Sequence, residues 1–171
     1  MMATAIGAAG PASKPLAADG YEKCLSVAAT ILLGAVGLAL MRGRPHWGEV
    51  PGIVWAHIAT ILVALALTPV ILLQRRGDRR HRRLGAIWSV AMLLTAALSF
   101  GVRVGRPGAF SVIHILSVWV LIQVPILWRA ARTHNVVRHR RSVRGIVTGA
   151  LLIAGVFTFP FDRLLGQWLF G

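Results

Sequence analysis

Five apolar segments in turn, divided by loops dense in arginine, restrict what this chain can fold into more than any other feature: Tyr21 to Met41, Pro51 to Gln74, Leu84 to Val104, Ala109 to Ala131 and Val143 to about Pro160. Each is close to the roughly 20 residues that a helix rising about 1.5 Å per residue needs to cross the hydrocarbon core of a bilayer. Helices satisfy their own backbone hydrogen bonds where no water is at hand. A barrel would alternate apolar and polar residues, and these segments do not. The pattern predicts an all-α integral membrane protein of five transmembrane helices, over about 21–41, 51–74, 84–104, 109–131 and 143–160. Apolar residues make up 56% of the chain and charged ones 14%, so a soluble domain would lack the polar groups to cover its surface. Residues 1–20, rich in Ala, Gly and Pro, read as a disordered tail before a transmembrane domain spanning 21–171. Lys23 and the apolar stretch behind it resemble a signal sequence, but no small-residue cleavage site follows before Arg42, so the segment reads as a retained anchor helix.

The charge is lopsided, with nineteen Lys and Arg against five Asp and Glu. Such a balance raises nucleic acid as a partner, yet twelve of the seventeen Arg fall in two clusters, Arg75 to Arg83 and Arg129 to Arg144, each set between apolar segments. That is the pattern of cytoplasmic loops, and the expected partner is the lipid bilayer rather than nucleic acid. With those clusters inside, Lys14 and Lys23 join them, and Arg42, Arg44, Arg103, Arg106 and Arg163 are left outside. Fourteen against five gives a cytoplasmic N-terminus and an outer C-terminus. The tail from Phe159 to Phe170, with Pro160 to break the helix and Trp168 between apolar neighbours, is expected at the outer interface.

An internal repeat adds to this order. The stretch HIATILVALALTPVILLQRRGDRRHRRLG from His57 parallels HILSVWVLIQVPILWRAARTHNVVRHRRSVRG from His114. Each begins with His-Ile, carries a proline (Pro69, Pro125), passes a basic loop and reaches His-Arg-Arg (His81, His139) before another apolar segment. The last four helices are therefore expected to be a tandem repeat of a helical hairpin, forming a four-helix bundle with the first helix in front.

The repeat sets His57 and His114 near the outer ends of the second and fourth helices, and His81 and His139 at the cytoplasmic starts of the third and fifth. Two imidazoles entering a flat pocket from opposite sides are what a haem iron with two axial histidines requires. One haem b between His57 and His114 is the expected site, since two neutral imidazoles buried in lipid each need a partner. A second between His81 and His139 is less favoured, because headgroup water and phosphate already offer those histidines partners. The plainer alternative is that His57 and His114 hydrogen-bond across a helix interface, and that the inner pair is solvated or touches lipid phosphate.

Other chemistry finds little support. No Asp, Glu or Lys falls in the middle of a span, which removes the relay carboxylates of ion-coupled transporters. Cys24 is the only cysteine, so disulfides and multi-thiolate metal sites are excluded within the chain. Gly145 and Gly149 form a GxxxG that permits close helix contact. Trp47, Trp55 and Trp168 fit an aromatic belt.

From Phe110 onward, the reading GAFSVIHILSVWVLIQVPILWRAARTHNVVRHRRSVRGIVTGALLIAGVFTFPFDRLLG resembles the bacterial membrane-protein family known as domain of unknown function 2306, over roughly Trp55 to Gly166. The resemblance implies a bacterial inner membrane protein and by itself no activity. More distantly, His57 with His114 and His81 with His139 are similar in order and depth to the paired ligands of two-haem transmembrane b-type cytochromes. That likeness implies haem and electron transfer, with membrane or redox partner subunits. The arginines directly after both cytoplasmic histidines depart from that pattern. Two readings follow: a small membrane b-type cytochrome, or a cofactor-free membrane scaffold or assembly protein.

Overall fold

The computed structural model of the protein describes residues 17–102, 112–160 and 163–171. Every regular element among them is helical. Helix α1 (Gly20–Arg42) is followed by a 3₁₀ helix (Arg44–Glu49), α2 (Gly52–Leu73), α3 (Arg79–Ser99), α4 (Val112–Arg132) and α5 (Val136–Ile146). The last continues as a π-helical stretch (Val147–Ile153) and a single turn, α6 (Ala154–Val156), before α7 (Leu164–Phe170).

Local chemistry explains the boundaries. Asp19, Asp78 and Asn135 cap α1, α3 and α5, their side-chain oxygens accepting from the backbone N–H groups of Glu22, His81 and Arg138. Among the described residues, three helices are long and apolar enough to cross a membrane: Gly20–Arg42, Gly52–Leu73 and His114–Arg132. Helix α3 covers most of the third expected segment, and the end of α5 with the π-helical stretch and α6 covers most of the fifth. However, α3 opens on Arg79, Arg80, Arg82 and Arg83, and α5 carries Arg138, Arg140, Arg141 and Arg144 along its length, and a charge in hydrocarbon is costly. The expected tail at 1–16, the end of the third segment and the start of the fourth lie outside the described residues, as do Arg103, Arg106 and Asp162.

The helices pack in sequence, α1 on α2, α2 on α3, α3 on α4 and α4 on α5, and the π-helical stretch returns to α1 and closes the bundle. Helix α1 is a full member of the core. Leu25, Ala29, Leu32 and Val36, at three- and four-residue steps, join Leu65, Trp88, Met92, Val124, Ile146 and Leu151 in one buried cluster. Small polar groups bind the seams: the Trp88 indole donates to Thr68 Oγ1 at 3.0 Å, Thr95 Oγ1 donates to Thr60 Oγ1 at 2.8 Å, and the Ser99 and Ser117 hydroxyls lie 2.5 Å apart. Outward-facing positions are apolar as well, with Ile31 and Ile115 68% and 71% exposed. That inversion of a soluble surface fits helices bathed in lipid.

One end of the bundle gathers the arginines and the other the tryptophans. At the latter, Trp47 and Trp55 meet edge to face with centroids 5.1 Å apart, and Trp168 of α7 lies 6.5 Å from Trp55. Helix α7 folds back on α1, where Arg42 Nη1 donates to the Leu169 carbonyl at 2.5 Å. Gly43 is what permits this approach, since a Cβ there would fall inside the Trp168 indole.

Candidate functional site

The basic end is built around Glu22, a carboxylate only 1% exposed. Its position follows from the start of α1: the Glu22 backbone N–H donates to Asp19 Oδ1 at 3.0 Å, and Glu22 Oε2 accepts from the Asp19 N–H at 3.1 Å. This reciprocal cap aims the carboxylate back over the positive end of the helix. Arg140 of α5 then binds it with two parallel hydrogen bonds, Nε to Oε1 at 2.7 Å and Nη2 to Oε2 at 2.9 Å. Arg144, one turn on, donates to Oε1 at 3.2 Å and pairs with Asp19. Arg76, from the α2–α3 loop, pairs with Oε2. Three guanidinium groups from two separate segments thus close on two carboxylates at the mouth of α1. The backbone N–H of Glu22, with Arg144 and Arg140, holds the Asp19 carboxyl below its usual range, and the Glu22 hydrogen bond raises Arg140 above its own.

Beside this network, His81 and His139 come together, their ring centroids 6.4 Å apart and their planes at 69°. Both arise from helix starts: the His81 N–H donates to Asp78 Oδ1 at 2.6 Å, and the His139 N–H donates to the Asn135 carbonyl at 2.9 Å. The Nδ1 of His139 lies 3.4 Å from the Leu127 carbonyl, which selects the tautomer with a proton on Nδ1 and frees Nε2. The Nδ1 of His81 is buried with no hydrogen-bond partner among the described residues, and so are both side-chain polar atoms of Gln74. Burial holds both imidazoles below the usual histidine range; His139 and Arg76 push His81 further down, and the Leu127 carbonyl partly offsets the effect at His139.

The outer pair has other partners. His57 Nδ1 donates to the Thr95 carbonyl on α3 at 3.1 Å, and the His114 ring stacks obliquely on Phe100 with centroids 5.6 Å apart. Helices α2 and α4, which carry these histidines, both pack on α3. Among the described residues no group of three or more His, Cys, Asp or Glu could hold a metal ion. A bis-imidazole haem site needs only two histidines. Of the two pairs, the inner one brings its rings close together, and the Leu127 carbonyl leaves His139 Nε2 as the unprotonated nitrogen such a site would take.

The sequence reading passed over Glu22, counting it only as one of five acids. Its signal was present as Asp19 three residues before Glu22, a capping pattern at the start of an apolar run, and as Arg140 and Arg144 four apart on one face of a helix. The Trp119 indole of α4 lies beside Gly145 and Gly149, at a distance that a Cβ at either position would also accept. No family model, no curated protein and no solved structure matches the chain.

Proposed function

We propose that this chain is a small b-type cytochrome-like protein of the bacterial inner membrane, passing electrons within the bilayer or as a subunit of a membrane oxidoreductase. In this reading it crosses the membrane five times, with its N-terminus and basic loops in the cytoplasm and its C-terminus outside. The tandem hairpin repeat and the resemblance to the domain of unknown function 2306 family and to two-haem b-type cytochromes belong to the same proposal. Membrane residence itself rests on the three apolar helices.

The observation that carries the functional reading is the His81–His139 pair, with ring centroids 6.4 Å apart and the His139 tautomer set to leave Nε2 unprotonated. These two residues would be the axial ligands, with His57 and His114 as the second candidate pair. Haem b would supply a one-electron couple. The chain's own part is to fix the imidazoles: the Leu127 carbonyl sets the His139 tautomer, and the Asp78 cap holds the first turn of α3. The Glu22 network keeps α5 docked beside that turn.

The test is a reduced-minus-oxidised spectrum of protein purified from haem-replete cells, for the wild type and for two double variants. Loss of the α-band in His81→Ala with His139→Ala, and its retention in His57→Ala with His114→Ala, is the expected result. The reverse pattern assigns the iron to the outer pair, and partial loss in each assigns two haems. A colourless wild type overturns the reading in favour of a cofactor-free scaffold. Two contacts speak for that second reading as helix-joining devices: the Glu22 network ties α1 to α5, and the His57–Thr95 hydrogen bond ties α2 to α3.

A further inference from the structure

The arginines of α5 divide between two faces. Arg140 and Arg144 turn inward to Glu22, whereas Arg138 and Arg141, both exposed, have no carboxylate partner among the described residues. Arg138, Arg141, Gly145 and Gly149 follow one another at helical steps along the side of α5 that faces α4. There the helices leave two adjoining hollows of about 510 and 620 Å³. Trp119, Arg141 and Gly145 line both, so the hollows form one groove, open along its length. Its two ends differ in chemistry. The end near the α4–α5 turn carries Arg138, Asn135 and Ser142. The other end has the Trp119 indole, Gly145, Gly149 and Leu116 as its floor, and its polar border is already engaged, Tyr21 with Thr148 and Arg144 with Asp19 and Glu22.

A groove with cations at one end and an apolar floor at the other matches an amphiphile bearing a negative head. Helix α4 is among the three apolar enough to span a bilayer, so the molecule at hand along its side is lipid. We propose that the α4–α5 groove binds an anionic phospholipid, with its phosphate held by Arg138 and Arg141 and an acyl chain laid along Trp119, Gly145 and Gly149. Arginine suits the phosphate because its planar fork donates two hydrogen bonds at once. The indole lies against the two glycines, so that together they make a continuous apolar floor over which the chain can run. The proposal rests on the membrane reading and is independent of haem.

The full chain, placed in nanodiscs of phosphatidylcholine, would be given increasing fractions of phosphatidylglycerol with brominated acyl chains. The signal is the part of the tryptophan quenching that Trp119→Phe removes. It should saturate at a low fraction of the brominated anionic lipid and stay small with brominated phosphatidylcholine. Arg138→Gln with Arg141→Gln should move the midpoint roughly 30-fold upward, the worth of two arginines near an anionic phosphate. Arg79→Gln with Arg80→Gln removes the same charge from the exposed first turn of α3 and should leave the midpoint in place. Equal quenching by the neutral lipid, an equal shift in both double variants, or no Trp119 quenching would each overturn the proposal. A chain that fails to co-elute with the discs would instead overturn the membrane reading, so the two failures are distinct.

Discussion

Arg140 grips Glu22 across 118 residues of sequence through two parallel hydrogen bonds of 2.7 and 2.9 Å. That contact joins the start of the first helix to the start of the fifth and orders the basic end of the bundle. The guanidinium groups of Arg76, Arg140 and Arg144 would otherwise repel one another there. Glu22 and Asp19 are the acids that allow Arg76, Arg140 and Arg144 to sit together.

Removing the Glu22 charge should therefore cost more than a surface substitution. Glu22→Gln leaves three guanidinium groups facing Asp19 alone, and breaking a buried ion pair from one side costs about 3–5 kcal/mol. Denaturant or thermal unfolding in mild detergent gives the measurement. A loss under about 1 kcal/mol, as for an exposed pair, would show that the network does not hold the fold. Combining Glu22→Gln with Arg140→Gln should recover part of the loss, since the coupling between contacting partners is non-additive.

Acid should weaken the haem-free chain in two stages. Because His81 and His139 are held below the usual imidazole range, the unfolded chain takes up protons at higher pH than the folded one. Their contribution is complete above about pH 6.5 and is lost as pH falls through the depressed folded values. Asp19, also depressed, adds a second loss below about pH 4 by the same sign. Unfolding midpoints from about pH 8 to about pH 5 should fall, and His81→Gln with His139→Gln should flatten the slope. A midpoint unchanged over that range in the wild type would refute the burial of the pair.

Gly43 tests the docking of the C-terminal helix. In Gly43→Val the new side chain occupies the space of the Trp168 ring, so α7 should leave α1 and expose the backbone beside Arg163 to trypsin. The control is Gly34→Val, whose Cβ meets nothing within 4 Å. Equal protection in both variants would mean that Trp168 does not need the gap.

Orientation is open to reporter fusions. Fusions after Arg79 and Arg138 should report the cytoplasm, and one after Gly171 the outside, following the fourteen-to-five division of basic residues. A cytoplasmic C-terminus would refute either the five spans or their direction.

The amino-acid sequence by itself determined the helices. Long apolar runs leave helix as the structure that satisfies its own backbone, and Asp78 and Asn135 mark where two of the helices begin. It also determined that the two arginine clusters share one end, because both lie in loops on the same side of an antiparallel succession. Partnership was decided only in the tertiary structure. Periodicity gives the face on which a side chain lies, but not which helix faces it. Hence Arg140 and Arg138, two residues apart in one cluster, part company, the first half-buried against Glu22 and the second exposed over a groove. For the same reason the sequence does not show that His57 meets the Thr95 carbonyl or that the His81 and His139 rings meet each other. Ring-to-ring contact depends on the order and rotation of helices about the bundle. Those are set by the summed packing of many side chains, each weak alone.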